Sequence, residues 1–307
     1  MCEGAKRLQV GCTWRQPTKR DTISLAMHAL ASLGLVAAAV LAGACRADRQ
    51  SAATAPAALR GPADSLIPDG PLGVAIRRGR ALLVATAESL PGHVGNKLRC
   101  VSCHLDAGRR ANGSWVGVFA RYPQYRARSG TVETLQYRIN DCFRRSMNGQ
   151  PLGTDGADMR DMVAYFWFLS RDVPVAPPPA ANRLAKWAAL TADTVAGARV
   201  YASTCSKCHG AQGEGTSVAP PVWGPYSYNI GAGMTRVRTA AAFIRDNMPF
   251  DLPGSLTDQQ ALDAAAYVNA HARPDFPDKM HDWPNGDPPP DVAYPTEAAR
   301  HRRSTTR

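Results

Sequence analysis

"CVSCH" at residues 100–104 and "CSKCH" at residues 205–209 are the two stretches that decide how this chain folds. Two cysteines separated by two residues and followed at once by histidine form the attachment pattern of a c-type haem. The chemistry explains the spacing: two thiols one helical turn apart meet the two vinyl groups, and the adjacent histidine reaches the iron from the same turn. A zinc site needs a second paired set of ligands at finger-like spacing, and neither segment supplies one. A thioredoxin-like dithiol needs a βαβ surround, which is absent from the pattern here. Composition alone predicts roughly 0.005 chance matches in a chain of this length. Two covalently bound haem c groups are therefore expected, attached through Cys100 and Cys103 and through Cys205 and Cys208. His104 and His209 are their proximal iron ligands.

Working outward, the two motifs sit in similar surroundings. Before the second runs "GARVYASTCSKCHG" (197–210), in which Gly197, Val200 and Tyr201 share one face of a helix. After it comes "SLTDQQALDAAAYVNAH" (255–271). Thr257 and Gln260 there form a T-x-x-Q capping box that opens a helix carrying Leu262, Ala266 and Tyr267. The first unit has the same outline, with "IRRGRALLVATAESL" (76–90) before its motif and "MRDMVAYFWFLS" (159–170) after it. The distance from first motif cysteine to the later "AY" nearly matches, Cys100 to Ala164 against Cys205 to Ala266, as in an internal repeat. Between the units lies "VPVAPPPAANR" (173–183), whose prolines suit a stiff linker. The expected fold is all-α: two tandem class I cytochrome c-like haem domains joined by a Pro-rich linker. The boundaries are 72–172 for the first domain, 173–182 for the linker and 183–275 for the second. A flexible stretch at 45–71 precedes them and a Pro-rich extension at 276–307 follows.

Each iron then needs, or leaves open, a sixth ligand. In the second unit Met248, in "DNMPFDLPG" (246–254), is a loop methionine followed by proline, the usual arrangement in class I cytochromes c. Its thioether raises the haem potential. Met234, His271 and Met280 compete with it. At nearly the same distance after His104 as Met248 lies after His209 stands Cys142, in "RINDCFRRSMNGQPLG" (138–153). The repeat thus puts a cysteine where its twin puts the axial methionine. Met147 is the rival ligand, and a buried free thiol the bland alternative. A thiolate lowers the iron's potential and holds a nucleophilic sulfur at the haem. "RYPQYRARSGTVETLQYRINDCFRR" (121–145) adds six arginines against two acids, Glu133 and Asp141. Such a cluster suits a small, doubly charged anion with sulfur chemistry.

The N-terminus has the layout of an export signal. Lys6, Arg7, Arg15, Lys19 and Arg20 precede an apolar run at 23–44 that ends in Ala42, Gly43 and Ala44. The expectation is a signal peptide at 1–44 and a periplasmic protein, with Cys45 as a candidate lipid anchor and a retained N-terminal span as the alternative. The rest of the chain stays basic by about eight charges. Export argues against nucleic acid, which leaves anionic lipid or a small anionic substrate.

"GNKLRCVSCHLDAG" (95–108), "RYPQYRARSG" (121–130), "RINDCFRRSMNGQPL" (138–152) and the segments "AYVNAHARPDFPDK" and "DWPNGDPPPD" within 266–291 together resemble the dihaem thiosulfate dehydrogenases. The resemblance covers roughly residues 72–294, and the stretch around Cys142 is its most specific part. It implies a periplasmic enzyme that couples two thiosulfates to tetrathionate and passes two electrons out through its haems; some members run well in reverse. It implies that the first haem, ligated by His104 and Cys142, is the catalytic centre, and that the second is ligated by His209 and Met248. Family arginines near the cysteine bind substrate, and Arg128 and Arg138 match them. Some members have a lysine that exchanges with the methionine. The position before Met248 is Asn247, so His/Met ligation is expected in both redox states. On this reading the Cys142 thiolate leaves iron and attacks, or is attacked by, the outer sulfur of thiosulfate. A second thiosulfate then releases the cysteine-bound adduct. Electrons pass from haem 1 to haem 2 and on to a soluble c-type cytochrome or similar carrier. The alternatives are a dihaem electron-transfer cytochrome without its own substrate and a Sox-type cytochrome that transfers thiosulfate to a carrier protein.

Overall fold

Helix α1 (Gly70–Val84) opens with Pro71 in its first turn, where a missing N–H costs nothing, and buries Ile76, Gly79, Leu82 and Leu83. The computed structural model describes residues 60–110, 112–173 and 187–300. The 1–44 segment, Cys45 and nearly all of the proline-rich linker lie outside the described residues, as does the C-terminal stretch from 301.

The chain continues through a two-stranded antiparallel hairpin, β1 (Gln124–Arg126) and β2 (Thr131–Glu133), paired Gln124 to Glu133 and Arg126 to Thr131. Helix α2 (Leu135–Arg145) follows directly, capped by Thr134, whose side chain accepts from the Tyr137 N–H. Helix α3 (Ala157–Leu169) completes the first lobe. In the second lobe α4 (Thr194–Val200) starts at Asp193, whose carboxylate accepts from the Val195 and Ala196 N–H groups. It runs on through a π-helical turn (Tyr201–Cys205) into Ser206–His209. Helices α5 (Val237–Asn247) and α6 (Asp258–Asn269) close the lobe. The expected capping box at Thr257 and Gln260 is present in both directions.

The expected fold is borne out: the lobes are mostly helical cytochrome c domains, with the 124–133 hairpin as the one strand pair among the described residues. In the first lobe Ile76 and Leu83 of α1 pack with Phe143, Met159, Met162, Tyr165, Phe168 and Leu169, all nearly inaccessible. In the second, Trp187, Ala240, Ala241, Leu262 and Ala265 form a smaller cluster. The two lobes share one device. A Cβ on Gly79 would sit 1.8 Å from the Asp161 carbonyl oxygen of α3, and a Cβ on Gly197 would sit 2.0 Å from that of Asp263 in α6. Glycine is what lets each pre-motif helix cross the last helix of its lobe backbone to backbone. Gly79→Val is accordingly expected to destabilise the first lobe by about 1–3 kcal/mol, with the rise concentrated there. Thermal unfolding followed at the Soret band of the haem-loaded protein checks it; an unchanged midpoint would refute the close crossing.

The approach to the motifs differs between lobes. α4 feeds Cys205 and Cys208 without a break, whereas α1 ends at Val84 and a short turn (Thr86–Ser89) and a loop precede Cys100. Both lobes belong to one compact unit, joined by a polar seam. Asn96 Nδ2 donates to the Ser146 and Ser227 carbonyls, Asn112 Nδ2 to the Ala242 carbonyl and the Asp246 carboxylate, and Asn229 Nδ2 to the Arg144 carbonyl. The segment from 276 folds back onto the first lobe: Trp283 N–H donates to the Arg128 carbonyl, and Arg145 forks onto both oxygens of Asp282 at 2.7 Å. No helix among the described residues is long and apolar enough to cross a membrane.

Candidate active site

After Cys100–Ser102, a single 3₁₀ turn, the chain reaches His104 and bends through two left-handed residues, Asp106 and Ala107. The bend brings the following loop back over the histidine. The Gly113 carbonyl accepts a hydrogen bond from His104 Nδ1 at 2.5 Å, and Trp115 lies against the ring at 5.0 Å between centroids. With Nδ1 protonated, Nε2 keeps its lone pair, the arrangement of a metal-ligating histidine. Burial pushes the His104 pKa down to about 4, so the ring is neutral at pH 7.

His104 lines a cavity of about 290 Å³, and Cys142 lines it too, with Trp115, Tyr122, Ile139 and Phe166. Cys142 stands on α2, and Arg138, one turn earlier on the same face, donates from Nη1 to its Sγ at 2.9 Å. Charge on Cys142 is the chief reason the Arg138 guanidinium is held more firmly protonated than usual, against the effect of burial. Arg121 and Arg126 line the same cavity. Met147, the rival ligand, is instead packed into the hydrophobic core with 2% exposure. None of the five described cysteines is paired in a disulfide.

Arg128 does not reach this cavity. It lines a neighbouring one of about 320 Å³ that shares Arg126 and Arg138 with the first. Nη1 of Arg128 donates to the Gly231 carbonyl at 2.8 Å and its guanidinium lies over the Trp283 ring. Burial, followed by repulsion from Arg145, lowers its pKa. Asp141 beside them is drawn upward by burial, but Arg145 and Arg138 overcome this and hold it below the usual carboxylate range. Tyr294 donates to Asp282 at 2.5 Å and so fixes the acid that braces Arg145. Trp283, Asp282, Tyr294 and Arg236 belong to this neighbourhood without any sequence signal placing them there.

The second motif repeats the histidine geometry. His209 Nδ1 donates to the Pro220 carbonyl at 2.8 Å, and burial lowers its pKa. Tyr201, Trp223, Tyr267 and His271 form an aromatic cluster beside it, with Trp223 and His271 stacked at 3.9 Å. His271 Nδ1 donates to the Tyr267 carbonyl. Met248 is half-buried at the C-cap of α5. Asn247 beside it is fully buried with neither amide atom hydrogen-bonded, and Trp187 Nε1 and Arg110 Nη1 are likewise buried donors with no partner. Each costs about 1–3 kcal/mol unless a group outside the protein answers it. Free cysteine pairs, neutral histidines with Nε2 open and unanswered buried donors fit covalently attached haem with its polar propionates.

Fold and site together define a c-type cytochrome with two cytochrome c domains. Residues 93–175 match the SoxA/TsdA cytochrome c domain, and residues 192–268 match the family described as cytochrome C oxidase, cbb3-type, subunit III. The chain is 44% identical over 239 residues to a thiosulfate dehydrogenase of Psychrobacter arcticus, covering 75% of this chain and 73% of that protein. With the thiosulfate dehydrogenase of Allochromatium vinosum it shares 45% over 240 residues, covering 73% and 88%. Among solved structures it resembles the thiosulfate dehydrogenase (TsdBA) from Marichromatium purpuratum in its as-isolated form, at 40% identity and a TM-score of 0.64. That likeness covers 73% of this chain and about half, 51%, of the solved one. The chain belongs to the thiosulfate dehydrogenase family of cytochromes, as the resemblance around Cys142 implied.

Proposed function

We propose that this protein is a periplasmic dihaem oxidoreductase that joins two thiosulfates into tetrathionate at Cys142. The observation that carries the reading is the shared cavity of His104 and Cys142, with the Arg138 guanidinium 2.9 Å from the cysteine sulfur. His104 and Cys142 would hold the iron of the first haem, and His209 and Met248 that of the second. Four relatives at 35–45% identity bear the name thiosulfate dehydrogenase, which supports thiosulfate as the substrate.

The chemistry follows from the residues. Cys142 as thiolate bonds to the outer sulfur of one thiosulfate, forming a cysteine-bound S–S–SO₃⁻ adduct as two electrons leave. The outer sulfur of a second thiosulfate attacks the thiosulfate sulfur of the adduct. The new S–S bond makes tetrathionate, and the Cys142–S bond breaks to return the thiolate. No proton is needed in either step. Arg138 stabilises the thiolate at both ends of the cycle and, with Arg121 and Arg126, offsets the repulsion between dianions that would otherwise oppose their coupling. Haem held by these residues would supply the one-electron acceptors for the two electrons released, with a soluble c-type cytochrome or similar carrier as their destination. The apolar run at 23–44 supports export, with acylated Cys45 as a means of anchoring.

The test is to add thiosulfate to the oxidised, haem-loaded protein and watch the haem bands while assaying tetrathionate. Haem reduction with tetrathionate formed, both lost in Cys142→Ala, is the expected result. Full turnover in Cys142→Ala with both haems attached would overturn the mechanism.

A further inference from the structure

The cavity beside Arg128 contains no residue of either haem motif, yet it is strongly basic. Arg126, Arg128, Arg138, Arg145 and Arg236 line it against one acid, Asp141. These charges are not equally available. Arg145 is neutralised by Asp282 and Asp141, Arg138 is engaged with Cys142, and Arg126 has Glu133 at 3.9 Å. Arg128 and Arg236 have no carboxylate within ion-pair distance among the described residues. Arg128 is held by a carbonyl and a ring face, which orient its guanidinium without cancelling its charge. Arg236 comes from the second lobe, at the N-cap of α5; its Nη2 donates to Thr239 Oγ1, and its Nε is buried with no partner. A buried guanidinium N–H without an acceptor is costly, and the unanswered Nε of Arg236 together with the uncancelled charge of Arg128 on the same cavity suits an anion with several oxygens.

The mechanism above needs two thiosulfates, and the Cys142 cavity has to hold the first as the covalent adduct. We propose that the Arg128–Arg236 cavity is a second sulfonate subsite, which binds the –SO₃⁻ end of the attacking thiosulfate. Arg138, lining both cavities, stands between the two anions. This inference rests on the proposed function. Arg128 and Arg236 hold the sulfonate so that the nucleophile's outer sulfur can be presented towards the adduct, and the same pair receives one end of tetrathionate when the reaction runs backward. The second lobe thereby contributes to substrate binding as well as to electron transfer.

The subsite separates two steps, and so does its test. Arg236→Gln is compared with wild type and with Arg236→Lys, all haem-loaded. One equivalent of thiosulfate is added to the oxidised protein and the adduct on Cys142 is read by intact mass; steady-state kinetics with thiosulfate follow. The expected result is normal adduct formation in Arg236→Gln, a KM for thiosulfate raised about ten- to a hundredfold, and substantial recovery in Arg236→Lys. An unchanged KM would overturn the proposal, as would an adduct lost together with turnover, since Arg236 would then serve the first thiosulfate or the fold. Absence of adduct and turnover in wild type would instead overturn the function on which the proposal rests.

Discussion

Cys142→Ala is expected to keep both haems covalently attached and to lose thiosulfate turnover by at least about a thousandfold. The side chain is half-buried at the edge of a cavity, so truncation removes little packing. Attachment depends on Cys100, Cys103, Cys205 and Cys208, none of which is altered. What disappears is the atom that carries the adduct, and with it the path by which two mutually repelling dianions become one product. On the proposed ligation, the spectrum of the first haem is expected to change as well, through loss of a thiolate ligand, whereas that of the second is expected to stay as it was. Titration with a chemical reductant separates the two haems, and a tetrathionate assay reads the loss. A substrate-free electron carrier would show the same spectral change with no activity to lose. A Sox-type protein would form the adduct and pass it to a carrier protein instead of releasing tetrathionate.

Arg138→Gln is expected to lower kcat by about 10²–10³-fold, the usual cost of removing one preorganised donor aimed at developing charge. On the proposed mechanism the Arg138 guanidinium, 2.9 Å from the Cys142 sulfur, stabilises negative charge on that atom in both the covalent and the release step. Both roles act on the reacting atom, so the loss falls on kcat more than on KM. That pattern is opposite to the one expected at Arg236. Lysine at 138 restores the charge without the fork and recovers only part of the rate. Because the guanidinium is partly open to solvent and its partners lie on its own helix, the variant should melt near wild type. Steady-state kinetics over a thiosulfate series check the split. A pure KM effect would show that Arg138 merely binds substrate.

How far the amino-acid sequence foretold this arrangement depended on distance along the chain. The haem motifs are five-residue signals, and the capping box at Thr257 and Gln260 spans four, so both were readable locally. Cys142 was singled out by counting from the repeat, and the structure places it on the same cavity as His104. The hairpin at 124–133 escaped notice because its strands are three residues each and its turn is closed by Gly130, whose positive φ of 68° and contact with Pro284 show only in three dimensions. The paired helix crossings at Gly79 and Gly197 also went unread. A loop separates α1 from Cys100 while α4 runs straight into Cys205, so the two glycines stand at different distances from their motifs. Arg236 and Asp282 were beyond reach altogether. They meet the arginines of α2 and the hairpin across the lobes, through contacts between residues about ninety or more positions apart, and no periodicity encodes such a meeting. The arginine run itself was visible, but the division of labour within it was not: Arg138 lies on the cysteine, Arg145 is braced by Asp282, and Arg128 faces a separate cavity.

The most direct measurement is an anaerobic titration of the fully oxidised, haem-loaded protein with thiosulfate, counting reduced haem and tetrathionate together. One tetrathionate for every two haem electrons, from two thiosulfates, is the predicted stoichiometry. Haems that a chemical reductant reduces but thiosulfate does not, with no tetrathionate formed, would contradict the account.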